Sequence, residues 1–225
     1  MTIEFGREIC CELGNSDKRE WLVTNGIGGF ASGTVAGLLT RRYHGLLVAA
    51  LQPPLGRNLL VTKLDETAAY NGKNYPLTAN RWADGTVDPR GYVEIEKFYL
   101  DGTTPVWNFA CADALLEKRI WMAQGSNTTY VRYELNRASR PLNVVIKAYV
   151  NYRDYHGTTY AGGWRMNIDK TGNGVRIHAY DGAVPFYILA DKADVAPSNE
   201  WYYGFHLSVE ESRGLDHIED HLHAA

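Results

Sequence analysis

Hydrophobic and polar residues alternate along much of the chain with a period of two, which is typical of a half-buried β-strand. In residues 129–136, Val131, Tyr133 and Leu135 alternate with polar or mixed positions, and residues 142–150 repeat the pattern. We predict further strands at residues 20–24, 45–51, 58–70, 92–100, 105–111, 115–123, 175–180, 186–190 and 201–210. No helical period extends over about 12 residues. The pattern therefore predicts an all-β chain.

Short turn sequences separate these runs. Asn71-Gly72, Asp101-Gly102 and Asp181-Gly182 are dipeptides that tolerate the positive φ angles of tight hairpins. Many strands joined by hairpins favour an antiparallel sandwich. The last 13 residues, from Arg213, are polar and predict neither a completed strand nor a capped helix.

Composition narrows the class of protein. The 225 residues are 45% hydrophobic, which suffices for one large domain, and the net charge of −3 does not favour binding to nucleic acid or to an anionic membrane. The N-terminus lacks a signal-peptide pattern, and no apolar run could cross a bilayer. Of three cysteines, two are adjacent, which indicates reduced thiols in a cytoplasmic protein.

Six glycines fall within 20 residues, between Gly26 and Gly45. Residues 26–31 fit the dinucleotide-binding pattern G-x-G-x-x-A. That site also needs a helix after the glycines and an acid about 20 residues further on. The next predicted strand ends in Gln52-Pro53-Pro54 and the chain shows no β-α-β alternation, so we do not expect a nucleotide site.

The same segment carries a more specific signature. The runs EWLVTNG (20–26), GGFASGT (28–34) and TRRYHGLLV (40–48) closely resemble the N-terminal domain of amylo-α-1,6-glucosidases, the bacterial-type glycogen-debranching family. NYRDYH (151–156) and EESRGL (210–215) are similar to that family too. The resemblance spans nearly the whole chain.

The resemblance implies a fold, a partner and an activity. It implies an antiparallel two-sheet β-supersandwich, like galactose mutarotase or the glucoamylase N-domain, at residues 1–212. Residues 213–225 would begin a linker to a C-terminal (α/α)6 barrel that holds the catalytic acids. The intact enzyme would hydrolyse α-1,6-linked glucose at glycogen branch points by direct attack of water, without a cofactor. This chain alone would be an inactive accessory domain whose partners are α-glucan and that barrel.

The first candidate binding residues are Arg41, Tyr43 and His44 in the TRRYH run. The arginine fork and the imidazole could bond sugar hydroxyls at the rim of the barrel pocket. The alternative is structural: an arginine–carboxylate pair and a buried histidine bonded to backbone.

The second candidates are Arg153, Asp154 and His156, where polar and aromatic groups interleave as a sugar site requires, and Trp164, which could stack on a sugar ring. The alternatives are a surface pair between Arg153 and Asp154 at an exposed hairpin end, and a tryptophan that packs in the core.

No catalytic pair stands out, although hydrolysis needs two carboxylates about 5–9.5 Å apart. The candidates are Asp65, Glu66, Glu94, Glu96, Asp154, Glu210 and Glu211. His217, His221 and His223 lie near Asp216 and Asp220, but nothing else suggests zinc and we predict no metal site.

Two other functions remain open at this point. A stand-alone α-glucan-binding or protein-interaction module should bind glucan by itself. A stand-alone enzyme should bring two carboxylates into one deep cleft.

Overall fold

A computed structural model describes residues 3–225. Strands account for 54% of the chain and helices for 8%, and the strand pairings are antiparallel. This confirms the predicted all-β, antiparallel sandwich. No helix among residues 3–225 is long and apolar enough to cross a membrane, and the three cysteines are free thiols.

The elements are numbered in chain order. The strands are β1 (Glu4–Gly6), β2 (Glu20–Thr24), β3 (Phe30–Thr34), β4 (Gly45–Gln52), β5 (Leu55–Tyr70), β6 (Lys73–Pro76), β7 (Ala79–Arg81), β8 (Val87–Arg90), β9 (Ile95–Asp101), β10 (Thr104–Cys111), β11 (Ala114–Met122), β12 (Thr129–Arg137), β13 (Asn143–Asp154), β14 (Asn167–Thr171), β15 (Gly174–His178), β16 (Phe186–Leu189), β17 (Glu200–His206) and β18 (Ile218–His223). Short helices are α1 (Arg7–Cys10), α2 (Leu13–Ser16) and α3 (Ser208–Ser212), with a 3-10 turn at Gly91–Glu94.

Two large sheets form the body of the domain. One has the strand order β1-β9-β10-β11-β12, and the other β17-β18-β13-β5-β4-β3-β2, with β6 paired to β5. The order β14-β15-β16 makes a third sheet, and β7 pairs with β8.

The core lies between the two large sheets. Trp21 on β2 meets Trp107 on β10 edge to face, with ring centroids 5.5 Å apart, and the Trp107 indole donates to the Val35 carbonyl. Polar groups also join the sheets, because Glu66 on β5 is buried and bonds both Lys118 and the Tyr133 hydroxyl. Burial raises the pKa of Tyr133 well above its usual value, and the neighbouring carboxylate adds to this.

Two hairpins form as the turn sequences predict. Asn71 and Gly72 have φ angles of 49° and 76° and join β5 to β6. Gly102 lies in the two-residue turn between β9 and β10. Asp181 and Gly182 form a turn within the longer connection from β15 to β16.

The predictions for the last quarter of the chain need correction. The strand expected at residues 201–210 ends at His206, and α3 follows it. The polar terminal segment contains β18, which lies between β17 and β13. Period-two alternation is absent there because both faces of β18 are covered: Glu219, Asp220 and Leu222 are all buried. The domain boundary at residue 213 concerns a connection to a further domain and stays a prediction.

Candidate functional site

The glycine-rich segment has a structural role in this fold. Asn25 accepts hydrogen bonds from the backbone N–H groups of Ile27 and Gly29, which closes the turn between β2 and β3. Gly28 has a φ of 101°, and a Cβ on it would lie 2.6 Å from the Pro54 carbonyl oxygen. The glycines lead into β3, not into a helix, so no helix N-terminus is available for a pyrophosphate.

Hydrogen bonds and ion pairs hold the TRRYH run in place, and most of them involve Arg42. Its guanidinium donates to the backbone carbonyls of His156 and Asp216 and pairs with the buried Glu210 carboxylate at 3.4 Å. Glu210 also accepts from the Arg42 backbone N–H and pairs with Arg213. The period-two pattern predicted a strand at Glu210. The structure puts Glu210 in α3, directly under this loop.

The other two predicted residues of the run have internal partners. Arg41 donates to Glu20 at 2.6 Å. His44 is 3% exposed, accepts from the Thr40 N–H through Nδ1, and lies 3.4 Å from the same Glu20 oxygen through Nε2. His44 and then Arg41 lower the pKa of Glu20 to about 2. His44 therefore shapes the loop, and contact between its ring and a sugar stays a prediction.

Arg153 is also an internal residue. Its side chain is 6% exposed and donates to the two Glu219 carboxylate oxygens through Nε and Nη2. Nη2 also donates to the Arg42 carbonyl at 2.8 Å. The alternative of a surface pair between the Arg153 and Asp154 side chains is wrong, because Arg153 pairs with Glu219 and the Asp154 carboxylate accepts from the His156 N–H. Burial at the end of β13 gives Arg153 a positioning role under the loop.

Above these buried pairs lies the tyrosine–histidine cluster, which consists of Tyr43, Tyr155 and His156. The Tyr43 hydroxyl is 3.1 Å from His156 Nδ1, and the Tyr43 ring packs edge-on against both neighbours at 5.6 Å. His156 is exposed, and Arg57 covers the Tyr155 ring from one side. The structure thus brings together Tyr43 and His156, which the sequence analysis assigned to separate motifs.

The rim of the cluster contains groups that the sequence analysis did not assign to it. Asp216 accepts hydrogen bonds from the hydroxyls of Thr158 and Tyr160 at its two carboxylate oxygens. Those bonds lower the pKa of Asp216, and the bond to Asp216 raises the pKa of Tyr160 to about 12. Tyr160 is 57% exposed. Asp216 lies in the connection from α3 to β18, a strand that the period-two pattern did not predict.

Trp164 lies at a different place, in the tryptophan groove formed by Trp164, Arg165, Glu200, Trp201 and Tyr203. The groove encloses about 400 Å³. The indole N–H of Trp164 donates to the Ala179 carbonyl and that of Trp201 to the Trp164 carbonyl, so both rings are fixed, with centroids 5.7 Å apart. Tyr203 is 65% exposed at its edge.

Most of the candidate catalytic carboxylates already have cationic partners. The pairs are Asp65 with Lys63, Glu66 with Lys118, Glu96 with Arg7, and Glu210 with Arg42, while Glu211 contacts the His206 imidazole. Glu94 lies in the 3-10 turn instead of the predicted strand, and burial raises its pKa.

The terminal histidines are not arranged as a group. His221 is fully buried beside Asn151, His223 contacts the Ala225 carbonyl, and His217 faces Glu211.

The tyrosine–histidine cluster and the tryptophan groove expose the groups that recognise a neutral polyol: aromatic faces, hydroxyls, an imidazole and a carboxylate. The model of the family described as "Glycogen debranching enzyme N terminal" matches residues 19–225. Searches of curated proteins and of solved structures gave no significant match. The family match covers the glycine-rich segment, the cluster and the groove, and the chain therefore belongs to the glycogen debranching enzyme N-terminal domain family.

Proposed function

We propose that this chain is the accessory domain of a cytoplasmic glycoside hydrolase that removes α-1,6-linked glucose at glycogen branch points. The catalytic acids belong to a C-terminal (α/α)6 barrel of the same enzyme. The domain braces that barrel and contributes the tyrosine–histidine cluster to the α-glucan site. No cofactor takes part in this hydrolysis.

The family match over residues 19–225 is the observation that carries this proposal. The cluster supports it, because buried ion pairs hold exposed groups in fixed positions. Arg153–Glu219 and Arg42–Glu210 support the strand and the loop that present Tyr43 and His156. A preformed sugar site loses less conformational entropy on binding than a mobile one.

An accessory role also agrees with the state of the carboxylates. A glycosidase needs one acid that can donate its proton and a second carboxylate across the sugar. Glu66, Glu210 and Glu219 are the most deeply buried acids, and each is bonded to a lysine or arginine within the fold. Such groups fasten elements together and are not free for proton transfer to a glucan.

An apolar edge supports the bracing role. Tyr187 and Leu189 are two residues apart on β16 and therefore share a face. They are 52% and 58% exposed, and β16 is the outer strand of its sheet. An exposed apolar edge of this kind suits contact with a further domain.

The first experiment measures glucose release from a limit dextrin with α-1,6-glucosyl stubs by this chain alone, with folding checked by circular dichroism. We expect no release. Release at enzymatic rates would place the acids within these residues and refute the accessory role.

The second experiment uses the full-length enzyme. His156→Ala should lower limit-dextrin hydrolysis at least about tenfold through loss of sugar contacts. His178→Ala, a matched change on β15, should not. If both changes lower hydrolysis equally, the cluster is not part of the glucan site.

A stand-alone α-glucan-binding module is the second candidate, and the tryptophan groove favours it. Fixed indole rings beside Arg165 and Glu200 offer both stacking faces and hydrogen-bonding groups. In that case the chain alone should bind maltooligosaccharides, and Tyr203→Ala should weaken binding. Tyr130→Ala, which removes another exposed tyrosine on β12, should not. Absence of measurable affinity in the wild-type chain would eliminate this candidate.

A further inference from the structure

Three side chains that the glucan proposal does not use converge beside α3. They come from the last residue of β17, from α3 itself, and from the residue before β18: His206, Glu211 and His217. One ligand atom from each lies within 4.8 Å of the other two. His206 Nε2 is 3.0 Å from Glu211 Oε2, and His217 Nε2 is 3.9 Å from Glu211 Oε1.

We propose that His206, Glu211 and His217 bind a divalent transition-metal ion, for which zinc is the best match. Two imidazoles and one carboxylate are typical zinc ligands, with metal–ligand bonds of about 2.0–2.2 Å. Ligand atoms of a tetrahedral site with such bonds lie about 3.4 Å apart. The separations of 3.0 and 3.9 Å, one to each oxygen of the Glu211 carboxylate, lie on either side of that value. Mixed nitrogen and oxygen ligands favour zinc over magnesium or calcium.

The tautomer of His217 supports a cation at this point. His217 Nδ1 is 3.1 Å from the Leu215 carbonyl, an acceptor that requires the nitrogen to carry a proton. In the neutral ring the lone pair is then on Nε2, which faces the Glu211 carboxylate. A lone pair and an anion directed at one point repel each other unless a cation lies between them. A backbone carbonyl that fixes the ligating tautomer in this way is a common feature of metal-bound histidines.

The His206 ring can also release its Nε2 proton without losing a second hydrogen bond. His206 is 9% exposed, and its Nδ1 is buried with no hydrogen-bond partner among the described residues. A move of the proton from Nε2 to Nδ1 replaces the contact with Glu211 by a metal bond and leaves a buried N–H without a partner, a cost that the metal bond must offset.

The backbone holds the three ligands in place before an ion binds. The Leu207 N–H donates to the His217 carbonyl at 2.7 Å, and the Glu211 N–H donates to the Leu207 carbonyl at 3.1 Å. The Glu211 side chain is 55% exposed, so an ion has a path from solvent and a water can complete the coordination. A bound ion would fix α3, whose Glu210 holds Arg42 under the tyrosine–histidine cluster. The site is independent of the glucan proposal.

The test is zinc binding to the chelator-treated chain, measured by competition with a chromophoric indicator. We expect one zinc ion per chain and a zinc-dependent rise in melting temperature. Glu211→Gln and His217→Asn should each weaken binding at least about a hundredfold, or about 2.8 kcal/mol. Both positions are partly exposed, so these variants should fold.

Two controls isolate the site. His178→Asn makes the same change on β15, and Cys11→Ser removes a half-buried thiol that could hold zinc with its neighbour Cys10. Both should bind zinc as the wild type does. Unchanged affinity in Glu211→Gln and His217→Asn would overturn the proposal, as would a wild-type chain that binds no zinc. The latter result would mean that a proton, and not a metal, joins His217 to Glu211.

Discussion

The ion pair between Arg153 and Glu219 should be the most sensitive polar contact in this domain. The two side chains are 6% and 1% exposed, and the Glu219 carboxylate also accepts from the Thr159 N–H. Arg153 in turn donates to the Arg42 carbonyl. Glu219→Gln keeps the size of the side chain and one acceptor, but it leaves a buried guanidinium without a counter-charge.

The expected loss follows from burial. Removal of one partner of a buried pair destabilises a protein by about 3–5 kcal/mol. We expect about 3 kcal/mol for Glu219→Gln, because the amide oxygen still accepts one bond from Arg153. That is a large share of the roughly 5–15 kcal/mol that stabilises a typical domain, and it should lower the urea midpoint by roughly 1 M.

Urea unfolding, followed by circular dichroism and tryptophan fluorescence, measures this loss. The matched control is Glu134→Gln, because Glu134 pairs with Arg132 at 2.6 Å while both side chains are about half exposed. Solvent screens that pair, and the control should change the free energy of unfolding by less than about 0.5 kcal/mol. If Glu219→Gln is no more destabilising than Glu134→Gln, the assignment of Arg153 as a buried anchor is wrong.

An apolar double replacement provides a second check on the same pair. Burial is the largest influence on Glu219 and raises its pKa, while Arg153 opposes the rise. Desolvation therefore offsets much of the attraction between the two charges. Arg153→Met with Glu219→Leu should be less destabilising than Glu219→Gln alone. If the double variant loses as much stability as Arg153→Met and Glu219→Leu lose together when each is made alone, this reasoning is wrong.

Two further predictions concern pH and backbone strain. The pKa of Glu20, lowered mainly by His44 from 4.5 to about 2, gives stability that is present above pH 4.5 and lost as pH falls toward 2. Glu20→Gln should therefore reduce the loss of stability as pH falls toward 2. At pH 7 it should cost only about 1 kcal/mol, since Glu20 is partly exposed. An unchanged loss of stability at low pH would refute this. Gly28→Ala should destabilise the domain by about 2 kcal/mol or more because its Cβ would meet the Pro54 carbonyl, whereas Gly72→Ala, also at positive φ but in open space, should cost about 1 kcal/mol. If thermal unfolding shows equal losses of stability for Gly28→Ala and Gly72→Ala, the backbone has moved to relieve the contact with Pro54.

Local pattern determined the regular part of this fold. Period-two alternation places β2, β10, β11 and β12 within a residue or two of their bounds, because more buried and less buried positions alternate along much of each strand. Dipeptides such as Asn71-Gly72 determine a hairpin through their own backbone preferences. The glycine-rich motif identified the family by resemblance, which the match over residues 19–225 confirms.

Tertiary contacts decided the rest. β18 is covered on both faces, and its acids bond to partners far away in the chain: Glu219 to the Arg153 guanidinium and Asp220 to the Ala161 N–H. Its sequence therefore lacks the alternation that marks a strand. For the same reason the roles of the arginines and histidines could not be read from residue type. His44 and Arg153 became internal anchors, while His156 stayed exposed, because burial and partner choice depend on which strands the fold brings together. Sequence specifies the elements through local preferences, and only the packed sheets decide which charged side chains meet.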